Sequence, residues 1–415
     1  ADGTYVLPVP ASAGEHPVLT FTYIGYESLN VTVGKNHVVN AKLKPEVVID
    51  QIVVTGFKNA KKESFTGSSV KISADDVAIA GVTDVSRMLE GQVAGVSVQN
   101  VSSTFGSAPK VRIRGVTSLS GENKPLWVVD GVVLEDVVNI SNDQLSSGDP
   151  TTLLGSSVAG INASDIETFD ILKDASATAV YGVRGANGVI IINTKSGSKG
   201  RPKFTVRYTE GITTPTKITD FVDGATYMEM SNEASMTRGG GALYSREVIE
   251  KTRTHADPYL YPNVDWMDEI LRDYSHNRSA NVNVSGGSDK AVYYIGLAYY
   301  DEDGMYKDTK LSDYNSNTYY RRYNVTTNLT LNPFRTTEIK LGIQGYLANA
   351  NYPASAQSTI FESAYFTQPT YIAPLYPDGK LGAFSGGELN PVAELGATGY
   401  ANQWRSQVYS NLRIT

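Results

Sequence analysis

The strongest constraint on the fold is a two-residue alternation of apolar and polar side chains that recurs in six segments after residue 200. In the first segment, three apolar residues alternate with three polar ones: Phe204, Val206 and Tyr208 with Thr205, Arg207 and Thr209. Successive side chains of a β-strand point to opposite faces of a sheet, so each segment predicts a strand with one apolar face. The other five alternating segments are 280–285, 293–299, 323–331, 337–347 and 404–414.

The lengths of the connections decide between a membrane barrel and a soluble sandwich, because both show this alternation. Long and short connections alternate along the chain, and they are predicted at 210–275, 286–290, 301–316, 332–335 and 349–403. Outer-membrane barrels combine long external loops with tight periplasmic turns. The pattern therefore predicts a mainly β fold with a transmembrane antiparallel β-barrel, whose apolar faces meet lipid. The large outer-membrane barrels of plugged transporters have about 22 strands. Because the sequence shows only six alternating segments, we expect this chain to hold only about the first six strands of such a barrel.

Composition excludes several other classes of function. The net charge is −7, which argues against a general nucleic-acid surface. Cysteine is absent, and no two of the four histidines have a metal-ligand spacing. We therefore predict no metal ion, no cofactor and no catalytic residue. An envelope enzyme that cleaves glycans through paired carboxylates stays an alternative, although no pair can be placed across a cleft.

Two segments lie at the start of the chain, before a compact domain that in turn precedes the barrel strands. Residues 1–45 contain short strand-like runs separated by Gly, Pro and Asn. The next segment, 46–65, has the β-prone run Val47–Gly56 followed by polar residues, which we expect to be mobile, at Lys58–Glu63. A short apolar strand between polar flanks can add to the edge of a partner's sheet. It can also be an ordinary linker strand packed on a neighbouring domain, and the residue pattern leaves both open.

Residues 66–198 predict a compact unit of mixed helices and strands. One short helix is predicted after Asp84, ending at Gly91, and a second from Ala175 to Tyr181, with strands between and after them. Arg184 lies among three glycines, and we expect it to form a structural ion pair with Glu167 or Asp170. The acidic run 301–304 does not continue as a calcium-binding loop, so we expect a solvated external loop there.

The block from Asp165 to Ile190, together with Ile113–Gly115 and Val128–Val132, resembles the plug signature of the SusC/RagA-like family of TonB-dependent outer-membrane transporters. The residues that match this signature are Arg114, Gly115, Asp130, Gly131, Lys173, Asp174, Tyr181, Gly182, Arg184, Gly185, Asn187 and Gly188. A second segment resembles the TonB box of that family: Ile49, Asp50, Gln51, Ile52, Val53, Val54, Thr55 and Gly56. Residues Tyr23–Glu27 resemble the end of a carboxypeptidase-regulatory-like β-sandwich.

The resemblance implies four domains and a function. Residues 1–45 would be the C-terminal part of the sandwich, 46–65 the TonB box and linker, 66–198 the plug domain, and 199–415 the N-terminal part of the barrel. The implied activity is import of an oligosaccharide or oligopeptide across the bacterial outer membrane. The implied partners are TonB of the inner-membrane energising complex, which reaches the N-terminal segment from the periplasm, and a SusD-like surface lipoprotein. A structural or adhesive outer-membrane β-protein without transport is the alternative, and it would need neither box nor plug.

Two expectations follow for the interior of such a barrel. Lumen-facing polar residues such as Asn281 and Asn324 are expected to contact the plug or ordered water. Ligand is expected at the upper plug turns 99–108 and 133–160, which are rich in neutral polar residues. Asn100, Asn139 and Asn142 are the candidate contacts, and the alternative is that these turns are merely solvated. Such chemistry suits sugar hydroxyls or peptide backbones better than a chelated metal.

Overall fold

The computed structural model describes residues 6–7, 18–21, 29–33, 39–42, 52–54, 59–61, 68–79, 84–99, 109–115, 123–134, 157–383 and 389–415. The chain divides into two compact units, Ala1–Val54 with Lys58–Thr66, and Thr55–Phe57 with Gly67–Thr415. Within the described ranges, no helix has the length and apolar character needed to cross a membrane.

The first unit contains two small antiparallel strand pairs. Strand β1 (Val18–Phe21) pairs with β2 (Leu29–Thr32), and β3 (Ile52–Val54) pairs with β4 (Asn59–Lys61). Strand β3 holds the central three residues of the predicted TonB box, while positions 49–51 and 55–56 lie outside the described residues. The expectation of a mobile polar flank at 58–63 is wrong for Asn59–Lys61, because these residues form a strand against the box.

The second unit begins with an α/β domain, which comprises the described residues between 68 and 198. Its main sheet has the strand order β5-β10-β11-β8-β9, and β6 and β7 form a separate antiparallel pair. Ile190, Ile191 and Ile192 of β11 are fully buried, because this central strand is paired on both edges and covered on both faces. The strands are β5 (Ser69–Ser73), β6 (Val96–Gln99), β7 (Lys110–Ile113), β8 (Leu126–Val129), β9 (Val132–Leu134), β10 (Ile166–Leu172) and β11 (Val189–Thr194).

The helical segments of the α/β domain are shorter than the sequence predicted. The segment after Asp84 is a 3-10 helix, Val85–Leu89, and the Asp84 carboxylate accepts a hydrogen bond of 2.9 Å from the Ser86 backbone N–H. The predicted helix at 175–181 is α-helical only over α1 (Ala175–Thr178) and continues as a 3-10 segment, Ala179–Gly185. Gly182 interrupts that segment, since its φ of 59° and ψ of −143° are not helical.

A six-stranded antiparallel sheet follows, with every strand paired to its neighbours in the chain. The strands are β12 (Gly200–Thr213), β13 (Ser275–Gly287), β14 (Ala291–Asp303), β15 (Tyr319–Phe334), β16 (Thr337–Pro353) and β17 (Tyr400–Ile414). The long connections at one end of this sheet carry the helices α2 (Gly224–Thr237), α3 (Arg246–Arg253), α4 (Trp266–Ile270), α5 (Gln357–Phe366) and α6 (Pro391–Gly396). The six predicted strands and the alternation of long and short connections are confirmed.

The apolar side of the sheet is the side predicted from the alternation. Phe204, Val206 and Tyr208 are 72%, 74% and 62% exposed. Arg207 lies directly opposite Asn281, and directly opposed residues of an antiparallel pair share one face. Asn281 contacts the α/β domain, so Arg207 is on the inner face and the predicted register is confirmed.

The acidic run at 301–303 differs from expectation, because it belongs to β14 and not to a solvated loop. Asp301 is 8% exposed and forms ion pairs with Arg278 at 3.3 Å and Arg321 at 2.9 Å. These two arginines stand opposite Asp301 on the neighbouring strands. Charge pairing across three strands therefore extends the sheet beyond the point where acidity alone suggested that it ends.

Candidate functional site: the interface between the α/β domain and the sheet

The inner face of the six-stranded sheet lies against the α/β domain through polar contacts. The domain contributes three stretches to this interface: residues 157–165, Asp130, and Thr194 with Lys195. The sheet contributes side chains that alternate along its strands: Asn281, Tyr294, Arg322, Asn324, Thr326, Asn328, Gln344, Tyr409 and Asn411. The predicted contact of Asn281 and Asn324 with the domain is confirmed.

Asp165 is the central acceptor of the interface. It is 2% exposed and ends the turn that leads into β10. The Tyr294 hydroxyl donates to one carboxylate oxygen at 2.7 Å, and the Thr326 hydroxyl donates to the other at 2.8 Å. A buried carboxylate is costly unless donors surround it. This pairing therefore joins the domain to two adjacent strands of the sheet.

The turn at 159–162 is held by amide and guanidinium groups of the sheet. The Asn162 side-chain amide donates to the side-chain carbonyl oxygen of Asn281 at 3.0 Å. The Arg322 guanidinium donates to the Ala159 backbone carbonyl, and the Asn324 amide donates to that of Gly160. Arg322 is 3% exposed and also donates to Asn324 at 3.0 Å, so the two side chains orient each other. The sheet thus satisfies backbone carbonyls that would otherwise be buried without partners.

Gly160 permits the closest approach of the domain to the sheet. A Cβ atom built on Gly160 would lie 1.8 Å from a ring carbon of Tyr346 on β16. The space is therefore filled by the tyrosine ring, and no other residue fits at position 160 without a shift of one of the two elements.

Asp130 makes a second set of contacts between the domain and the sheet, separate from those of Asp165. Asp130 and Gly131 have φ values of 47° and 86° and make the two-residue turn between β8 and β9, for which Asp-Gly is a favoured sequence. The Asp130 carboxylate accepts from the Thr194 backbone N–H at 2.9 Å and from the Gln344 amide on β16. Burial raises the pKa of Asp130, and the hydrogen bonds from Thr194 and Gln344 oppose that rise.

Most signature residues stabilise the α/β domain itself. Lys173 donates to the Ala94 carbonyl at 2.7 Å, and Asp174 caps α1 by accepting from the Ala177 N–H at 3.1 Å. Tyr181 is buried, and burial raises its pKa to about 12. Several signature positions have positive φ: Arg114, Gly115, Asp130, Gly131, Gly182 and Gly188. The signature residues therefore mark the positions where the backbone of the domain turns or where a helix is capped.

Arg184 is exposed, and its expected ion pair with Glu167 or Asp170 stays a prediction. Asp170 is the buried residue, at 2% exposure. Its carboxylate accepts from the Asn193 amide at 2.7 Å and lies opposite Lys71 of β5. The partners of this buried carboxylate therefore lie within the domain's own sheet.

Comparison with known proteins identifies the family to which the α/β domain belongs. Residues 61–189 match the family model of the TonB-dependent Receptor Plug Domain. TonB-dependent receptor P26 of Formosa agariphila is 33% identical over 316 residues, which cover 75% of this chain and 29% of that protein. TonB-dependent receptor SusC of Bacteroides thetaiotaomicron is 28% identical over 407 residues, covering 97% of this chain and 36% of SusC. The chain carries the plug domain of the TonB-dependent receptors and is similar to their SusC-like members.

Solved structures agree with this family. The RagAB peptide importer in the "closed-closed" state matches with a TM-score of 0.58 and 25% identity, over 76% of this chain and 35% of that chain. The "open-open" state matches with a TM-score of 0.63 and 22% identity, over 88% of this chain and 40% of that chain, and supports the fold alone. The chain thus spans about a third of the length of its SusC-like relatives. The α/β domain is called the plug from here on.

The interface residues of the plug were not predicted as site residues. Asn162 and Asp165 precede β10 in the pattern Asn-x-x-Asp, and this pattern by itself indicates only a capped turn. Their partners on the sheet could have been found from the alternation, because each polar face position must meet either water or the plug. The candidate ligand contacts Asn100, Asn139 and Asn142 lie outside the described residues and stay predictions.

Asp170 makes the stability of the folded plug depend on pH. Its pKa is raised from 3.8 to about 6, chiefly by burial, against the opposing charge of Lys71 and the Asn193 hydrogen bond. The folded plug therefore binds a proton more tightly than the unfolded chain does. The stability contributed by this group is fully present below pH 3.8 and is lost as the pH rises to about 6.

We expect backbone amides of β5 and β10 to exchange faster at pH 7 than at pH 5, after correction for intrinsic rates. Hydrogen exchange followed by mass spectrometry on the full-length receptor measures this difference. Asp170→Asn should remove it, while Asp76→Asn on the exposed plug surface should leave it unchanged. Equal corrected exchange rates at the two pH values in the wild type would contradict the raised pKa of Asp170.

Proposed function

We propose that the full receptor imports a nutrient across the bacterial outer membrane in a TonB-dependent manner. The observation that carries this proposal is the plug seated on the polar face of a sheet whose opposite face is apolar and exposed. A barrel wall needs an apolar outer face, and a plugged lumen needs a polar interface that can be rearranged. A purely structural or adhesive barrel has no need of a plug that occupies the inner face.

The segment Ile49–Gly56 is proposed as the TonB box. Its central strand β3 pairs with β4 along one edge. The other edge of β3 has no strand beside it among the described residues. An unpaired edge can accept a strand from a periplasmic partner through main-chain hydrogen bonds. A force applied to the box would reach the plug first. The first plug strand after the box is β5, and it lies at the edge of the plug sheet.

The proposed partners are TonB and a SusD-like surface lipoprotein. Similarity to SusC and to the RagAB peptide importer supports this pairing. The plug and the N-terminal segment would be reached from the periplasm, and the substrate would be an oligosaccharide or an oligopeptide. The proposal also keeps the domain limits 1–45, 46–65, 66–198 and 199–415, and it assigns no catalytic role to the chain.

Proline substitution in β3 tests the strand-addition mechanism. Proline has no N–H, so Val53→Pro with Val54→Pro removes one donor from each edge of the strand. We expect uptake of radiolabelled nutrient to be lost, while the amount of receptor in the outer membrane stays unchanged. The matched control, Val53→Ala with Val54→Ala, keeps the main-chain donors and should retain most uptake. Normal uptake by the proline variant, or equal loss in the alanine control, would contradict strand addition.

A further inference from the structure

A cavity of about 420 Å³ lies at the loop end of the sheet, on its inner side. The chain segment 213–219, helices α4 and α5, and the ends of β14 and β16 enclose it. Its volume falls within the usual range of small-molecule and peptide side-chain sites. None of the plug hydrogen bonds described above involves the residues of this cavity, while the positive charge of Arg87 in the plug acts on the cavity residue Glu302.

The floor of the cavity is apolar and preformed. It is built by Met267, Leu271, Met305, Ile360 and Phe361. Helices α4 and α5 pack on each other and on α6 in one hydrophobic cluster, in which Ile270, Ile360 and Leu395 are at most 1% exposed. A rigid apolar floor favours a ligand with an apolar side chain, because its burial releases water without reorganising the protein.

The polar groups of the cavity are few. Glu302 of β14 lines it, and the Tyr300 hydroxyl donates to one of its carboxylate oxygens at 2.8 Å. Two further hydroxyl groups, those of Tyr306 and Thr318, are buried and have no hydrogen-bond partner among the described residues. A buried hydroxyl without a partner is unfavourable, because it has lost its hydrogen bonds to water. These groups therefore favour a ligand that carries its own donors to this wall.

The segment 214–218 supplies a second kind of recognition. It runs on from β12 toward α2, and its backbone forms no hydrogen bond to another described residue. Residues 216–218 are exposed. Apart from the nitrogen of Pro215, which carries no hydrogen, the main-chain N–H and C=O groups of this segment can pair with the amide groups of a bound peptide.

We infer that this cavity binds the N-terminal residue of an extended peptide. The ammonium group lies beside Glu302, the apolar side chain occupies the floor, and the peptide main chain runs along residues 214–218. A carboxylate with hydroxyl acceptors suits an ammonium group, whereas an oligosaccharide would leave the apolar floor without a complementary group. The inference rests on the proposed import function and names peptides as its substrate class.

The test uses the full-length receptor, purified with whatever partner accompanies it, and a tryptic casein digest as the probe. Peptides that stay bound after gel filtration are identified by mass spectrometry. We expect retention of peptides with an apolar first residue and a free amino group. Acetylation of the amino groups of the same digest should reduce retention about tenfold or more, since a charge-assisted hydrogen bond is lost.

The variant Glu302→Gln should reduce retention of the untreated digest to a similar extent and should not change retention of the acetylated digest. Glu210→Gln is the matched control, because Glu210 lies on the outer face of β12 and pairs with Arg278. No retained peptide, equal retention after acetylation, or an unchanged Glu302→Gln variant would overturn the inference, as would a cavity filled by another part of the receptor. TonB-dependent uptake of maltooligosaccharides by the same receptor would leave the import function standing and refute the peptide site.

Discussion

Gly160→Ala is expected to unseat the plug from the sheet and to make the outer membrane leaky. The new methyl group would lie 1.8 Å from the Tyr346 ring, so the two elements must move apart. Overpacking of this kind costs about 1–3 kcal/mol. The shift would also lengthen the adjacent hydrogen bonds from Arg322 and Asn324 to the same turn. Cells that produce this variant should become sensitive to vancomycin, which an intact outer membrane excludes.

Two variants separate a steric cause from a general loss of stability. Gly241→Ala is the matched control, because a Cβ atom there meets nothing within 4 Å. It should leave vancomycin resistance unchanged. Combining Gly160→Ala with Tyr346→Ala removes the opposing ring and should restore much of the resistance, which a double-mutant cycle quantifies. Equal resistance of the Gly160→Ala and Gly241→Ala strains would contradict the proposed close contact.

The sheet could be predicted well from the sequence because its signal is local. A strand that is apolar on one face and polar on the other must alternate at every position, so Phe204 and Arg207 can be assigned to opposite faces from the sequence alone. The plug could be recognised for a related reason. Its turns require particular residues, such as Asp130 and Gly131 with positive φ, and these leave a readable pattern.

The plug interface could not be predicted, because it depends on which distant residues meet. Asp165 and Tyr294 are 129 positions apart, and neither has a local pattern that names the other. The end of β14 was misplaced for the same reason. Asp301 looks like a loop residue until Arg278 and Arg321 are found on both sides of it. Likewise, Asn59–Lys61 look like a polar linker until they pair with β3.

Deletion of Ile49–Gly56 is expected to abolish nutrient uptake and to leave the rest of the receptor intact. The described part of this segment is the short strand β3, which belongs to the first compact unit. The plug and the six-stranded sheet belong to the second unit and have their own hydrophobic cores. Folding, membrane insertion and ligand binding should therefore persist. Transport should fail, because the partner would have no strand edge to which it could add and through which it could pull.

Uptake of radiolabelled peptide or oligosaccharide by cells with the deletion tests the central claim most directly, when surface binding is measured on the same cells. Normal binding with uptake at the level of a strain that lacks TonB is the result that TonB-dependent import predicts. Uptake at the wild-type rate, with the plug present and the box absent, would contradict it.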